Sequence, residues 1–99
     1  MRLAAEARDD LRDLLQHSLE TWGRTEHDAY RAAIQQRFAS LAEYPELGRP
    51  RDDLFSGCRG LSIRQHVAYD LLEEAHVVVV RILHGRREPV GAVAAPKPR

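Results

Sequence analysis

Val77-Val78-Val79-Val80-Arg81-Ile82-Leu83-His84-Gly85-Arg86-Arg87-Glu88 is an apolar run that ends abruptly in charge. Four consecutive β-branched residues favour an extended chain over a helix. The run does not alternate with polar residues, so it predicts a strand covered on both faces. His76 to Leu83 is therefore placed at the centre of a sheet. Its far end presents one imidazole, His84, and the guanidinium groups of Arg81, Arg86 and Arg87. Such a cluster suits an anionic partner surface or phosphodiester chemistry. It is also the composition of a plain solvated strand end.

Upstream of this strand the apolar period is two. Leu61, Ile63, Val67, Tyr69 and Leu71 alternate with Arg64, His66, Ala68 and Asp70. That pattern predicts two half-buried, paired strands with a turn near Gln65 to Val67, or a bend there in one longer ribbon. Ala68 and Asp70 fall on the wet side of this reading. Glu73, Glu74 and Ala75 make the next turn, and the last strand follows as the third of an antiparallel meander.

Further upstream the period is helical. Leu11, Leu14, Leu15, Leu19 and Trp22 form one stripe of a helix over Ala5 to Trp22. Gly23 supplies a stop. A second helix is predicted from Glu26 to Tyr44. Thr25 with Asp28 reads as a capping box with a shortened acid. Tyr30, Ala33, Ile34, Phe38, Leu41 and Ala42 mark the apolar face, and Pro45 ends the helix. A connection of two or three residues makes the pair an antiparallel hairpin. Residues 45 to 58, rich in Pro, Gly, Asp and Arg, form a loop. Met1 to Ala4 reads as a brief strand that joins the sheet. The fold class is therefore α+β: a short N-terminal strand and a helical hairpin packed on a small antiparallel meander. Residues 1–88 form one domain, and 89–99, with three prolines, form a flexible tail.

Bulk properties limit function. At 99 residues the chain is one domain, and 43% apolar residues suffice for a core. Net charge is zero but uneven. Residues 1–46 hold six Arg against nine acids, and residues 47–99 hold nine Lys or Arg against six. A neutral chain is not expected to bind DNA directly by charge, although a local basic patch remains open. The single cysteine, Cys58, excludes an internal disulfide and fits a reducing compartment, with the thiol as apolar filler. Neither a membrane span nor a signal-peptide core is evident, so the expected location is cytoplasmic. No His/Cys/Asp grouping has zinc-like spacing, and no Gly-rich phosphate loop lies between strand and helix. Neither a metal nor a cofactor is expected. His17, His27 and His76 read as surface residues.

Several segments, taken in order, resemble a known family. Leu3-Ala4-Ala5-Glu6-Ala7 with Asp10-Leu11 opens the chain, and Trp22-Gly23 stands at the inter-helix corner. Leu41-Ala42, Pro45 and Gly48-Arg49-Pro50 follow the hairpin. Gly57-Cys58-Arg59 leads into the first long strand, and Arg81-Ile82-Leu83-His84 with Arg86 closes the last. Over residues 3 to 88 this is similar to the ParE-type toxins of the RelE/ParE superfamily. Ala4 and Ala5 depart from the Ser-Pro of that opening. The resemblance implies a toxin of a type II toxin–antitoxin module that inhibits DNA gyrase and is neutralised by a ParD-like antitoxin. It also implies kinship in fold with ribosome-dependent ribonucleases of the RelE type.

Two mechanisms divide the candidate residues. In the binding reading no residue is catalytic, and Arg59, Arg81, His84, Arg86 and Arg87 contact the partner. In the ribonuclease reading His66 and His84 transfer protons and Arg64 steadies the phosphate. The lysine-rich stretch and C-terminal aromatic of the RelE pattern are missing, since Lys97 is the one lysine and no Tyr or Phe follows Tyr69. Both imidazoles and two guanidinium groups converging on one pocket, open enough to seat a nucleotide, would overturn the binding reading. A third reading is an inactive member whose short first strand has cost it activity.

Overall fold

A computed structural model describes residues 1–96. The order is β1 (Arg2–Leu3), α1 (Ala5–Trp22), α2 (Arg24–Glu43), β2 (Arg49–Pro50), β3 (Arg59–Ile63), β4 (His66–Glu73) and β5 (His76–His84). The five strands form one sheet in the order β1-β5-β4-β3-β2. The α+β class holds, and the sheet is mixed: β1 runs parallel to β5, and the other pairings are antiparallel. The loop expected over 45–58 contributes an unforeseen edge strand, with Arg49 opposite Gly60 and Pro50 opposite Arg59. An edge position tolerates a proline, which has no N–H to give.

The valine run is buried on both faces, as its composition required. Val77, Val79 and Ile82 pack towards the helices with Ala7, Ile34, Leu41, Leu61 and Ile63. Val78, Val80 and Leu83 pack on the other side with Cys58, Tyr69 and Val93, under Leu54 and Phe55. The second face is thus covered by the loop before β3 and by chain beyond β5. Part of the segment expected as a tail packs on this face. Val93 is buried, its N–H donates to the Pro89 carbonyl at 2.9 Å, and the Arg81 guanidinium donates to the Ala92 carbonyl at 3.0 Å. One apolar side chain over an open sheet face and one buried guanidinium are enough to fix this segment. Lys97 to Arg99 lie outside the described residues.

Other local expectations change for physical reasons. One residue, Gly23, joins the helices, with φ 90° and ψ −179°. That region is open almost solely to glycine. The capping box does not form: Thr25 lies within α2, which has no side-chain cap, and Asp28 accepts instead from His27 Nδ1 at 2.9 Å. Trp22, expected on the core stripe, is 70% exposed, and Leu19 is also exposed. Leu11, Leu14 and Leu15 already fill the contact with the sheet, so the last turn of α1 overhangs it. Ala42 is likewise exposed. Asp70, expected on the wet side, is fully buried, because β4 has helices over one face and loops over the other.

Candidate functional site

The β3–β4 turn, Arg64 and Gln65, and the end of β5 meet at one corner of the sheet. Register makes the meeting: His66 lies directly opposite His84. The Gly85 N–H then donates to the Gln65 carbonyl at 2.7 Å, which ties the end of β5 to the turn. Glycine permits that approach, since a Cβ on residue 85 would stand only 3.2 Å from the same oxygen. Arg64 adopts φ 53°, the left-handed region that disfavours most side chains. The helical hairpin overhangs this corner and turns it into a cleft.

The cleft has a volume of about 1040 Å³. Arg64, His66, His84 and Arg87 line it from the sheet; Asp10, Asp13, His17, Trp22, Glu26 and Tyr30 line it from the helices. The His66 and His84 rings are edge to face with centroids 5.3 Å apart, and Tyr30 stands edge to face with His66 at 5.4 Å. The Tyr30 hydroxyl accepts the Gln65 N–H at 3.2 Å. Its own proton goes either to the Ile63 carbonyl at 3.3 Å or to His66 Nδ1. His84 Nδ1 accepts the Arg86 N–H at 3.1 Å, so neutral His84 carries its proton on Nε2. Burial, aided by the nearby His84 and His17, lowers the His66 pKa, so this ring is neutral at pH 7. Burial likewise raises the Tyr30 pKa. The Arg64 guanidinium stacks 5.7 Å from the centre of the Tyr30 ring. His66, His84 and Arg64, set apart in the sequence for acid–base work, therefore share one cleft with Arg87.

The other candidates lie elsewhere. Arg81 Nε and Nη2 donate to the two oxygens of Asp10 at 2.7 and 3.1 Å, and Nη1 reaches Ala92. Both carboxylate and guanidinium side chains are only 16% exposed. The Asp10 pair holds the Arg81 pKa above its already high ordinary value. Arg59, at the opposite end of β3, donates to the Gly48 carbonyl at 2.9 Å and the Glu46 carbonyl at 3.4 Å. Arg86 is exposed in the turn after β5 and does not line the cleft. Sequence reading missed Tyr30, because its position on the apolar face of α2 reads as core. Nothing local relates it to His66, 36 residues later.

Among the described residues no three His, Cys, Asp or Glu side chains are placed to hold a metal ion. No helix of the described residues is long and apolar enough to cross a membrane. Cys58 is buried, and its thiol is pushed up to about 11 by burial and by the nearby Asp70, so it is not a nucleophile at neutral pH.

Comparison with known proteins accords with this geometry. A solved chromosomal ParDE toxin–antitoxin system from P. aeruginosa superposes with TM-score 0.71 at 18% identity, over 84% of this chain and 91% of that one. This shows a shared fold. Toxin ParE1 of Caulobacter vibrioides is 30% identical over 83 residues, 84% of this chain and 85% of its own length. Toxin ParE1 of Mycobacterium tuberculosis is 29% identical over 87 residues, 87% of this chain and 89% of its own. The family model of the ParE toxin of the type II toxin–antitoxin system parDE matches residues 1–89. With the family model matching residues 1–89 and a relative 30% identical over 84% of the chain, the protein belongs to the ParE toxin family of type II toxin–antitoxin systems.

Proposed function

We propose that this toxin acts in the cytoplasm by binding DNA gyrase, without breaking bonds of its own, and that a ParD-like antitoxin neutralises it. The observation that carries the binding reading is the mixed charge of the cleft. Asp10, Asp13 and Glu26 share its walls with Arg64 and Arg87, and His66 is held neutral. With Asp10 neutralised by Arg81, two carboxylates face two guanidinium groups, a balance that gives a polyphosphate strand no net attraction but suits a protein surface, where both signs find partners. The exposed Trp22 at the rim adds the aromatic anchor common in protein interfaces. Arg86 and Arg87, exposed beyond β5, are the guanidinium groups offered to the target, with His84 beside them. Arg81, bonded to Asp10 and Ala92, and Arg59, bonded to Gly48 and Glu46 at the far end of β3, are held within the fold away from that surface.

A second reading, cleavage, is favoured by the very convergence set against binding: two imidazoles and two guanidinium groups do meet in a cleft large enough for a nucleotide, and binding is kept first only on the charge of the facing wall. Cleavage at a ribose 2′-hydroxyl would use one ring as base and the other as acid. The acidic helix wall weighs against it. The test is expression of the toxin, followed by gyrase supercoiling in a purified assay and translation-dependent mRNA cutting. Lost supercoiling with intact mRNA supports binding. Cut mRNA that disappears in His84→Ala assigns the chain to cleavage. Silence in both assays marks an inactive member.

A further inference from the structure

We infer that the sheet corner of this cleft is a binding site for a single oxyanion, carried either as a phosphoryl-type tetrahedral group or as a carboxylate. The inference concerns the cleft itself and stands whether or not gyrase is the target. Most arginines in the described chain are engaged. Arg2, Arg12, Arg24, Arg51 and Arg81 pair with carboxylates. Arg8, Arg37 and Arg59 donate to carbonyls. Among the described residues neither Arg64 nor Arg87 has a side-chain hydrogen bond or an ion pair, although both line a cleft whose other wall carries Asp13 and Glu26. Two guanidinium groups with free donors, facing one concavity, form a site that a planar or tetrahedral oxyanion can bridge.

The imidazoles complete it. With Nδ1 occupied by the Arg86 N–H, His84 offers an Nε2–H donor even when neutral. Desolvation, with the nearby His84 and His17, lowers the His66 pKa. The rings touch edge to face, so an anion sits beside them and not between them; there it offsets these penalties, and binding takes up protons and tightens as pH falls. The groups facing His66 and His84 are Tyr30, Arg64, His17 and Arg87, with Asp13 and Glu26 across the cleft. Those two carboxylates confine the site to one anionic group. Arg64 holds a positive φ that asparagine tolerates better, so a variant there removes the guanidinium without loosening the fold.

The experiment follows the imidazole and cleft amide NMR signals of the whole protein during titration with sodium sulfate, a dianion at all pH values used. Sodium acetate serves as the carboxylate probe, and ionic strength is fixed with sodium chloride. The expected result is saturable, millimolar sulfate binding that shifts His66, His84 and the Arg64–Gln65 amides, and that strengthens several-fold from pH 8 to pH 6. Arg64→Asn and Arg87→Gln should each weaken it about tenfold, the loss of one charge-assisted bond. Sulfate much tighter than acetate identifies a phosphoryl-type ligand, and equal affinities identify a partner's carboxylate. Shifts that do not saturate, or binding unchanged in both variants, would overturn the inference.

Discussion

Asp10 accepts three hydrogen bonds with one carboxylate. It pairs with Arg81 at both oxygens, and it accepts the Ile82 N–H at 2.9 Å on the edge of β5 beyond the short β1. Asp10→Ala leaves a nearly buried guanidinium and an orphaned strand N–H, so it should destabilise the fold by about 3 kcal/mol, measured by urea denaturation. Arg81→Met leaves the Asp10 carboxylate buried without its ion pair, so it should cost a comparable amount. Asp70 is the opposite case: both carboxylate oxygens are buried without a hydrogen bond. Burial, only partly offset by Arg59, pushes its pKa from 3.8 to about 7. The folded state therefore holds the proton more tightly than the unfolded one. The stability penalty is absent below the unfolded value, grows as pH rises, and is complete above about pH 7. Asp70→Asn should remove this fall, so the variant gains on the parent between pH 5 and pH 8 in paired denaturation curves. Parallel pH dependences would exclude a buried, protonatable Asp70.

At the scale of elements, the connections carry most of the backbone strain. Gly23 alone turns the chain between two helices, and Gly23→Ala should cost about 1–3 kcal/mol, with a matching fall in Tm, because no other residue adopts its φ and ψ cheaply. The β4–β5 hairpin turns on Glu74 and Ala75, both at positive φ, 48° and 67°. Neither residue suits that region. Replacing the pair with Asn-Gly should stabilise the protein by about 1 kcal/mol in the same denaturation assay. This turn shows how legible the elements were. The two-residue spacing of β3 and β4, the valine run of β5 and the leucine stripe of α1 follow from side-chain period, a signal each segment carries by itself. The β2 strand did not, because Arg49-Pro50 has no apolar period and pairs through backbone groups alone. Trp22 and Asp70 were misplaced for a related reason. Period assigns a face to a side chain, but only the assembled layers decide what lies over that face.

For the whole molecule, the acidic N-terminal half and the basic C-terminal half meet across one cleft, helices on one wall and sheet corner on the other. The sequence identified His66, His84 and Arg64 as one possible set by residue type. It could not show their convergence, which depends on the β4–β5 register and on a tyrosine from the distant α2. Membership of the ParE family rests on agreement over residues 1–89 and on the shared sheet and hairpin, and not on any one motif. Binding and cleavage differ most simply in stoichiometry, since a binder is used up on its target and a catalyst is not. The decisive measurement is a titration of purified toxin into a fixed amount of gyrase, scored by supercoiling, with ribosome-engaged mRNA in a parallel series. Binding predicts that supercoiling stops near one toxin per gyrase subunit while mRNA stays whole at every dose. Supercoiling untouched at large excess, with mRNA cut by a small fraction of an equivalent of toxin, would contradict it.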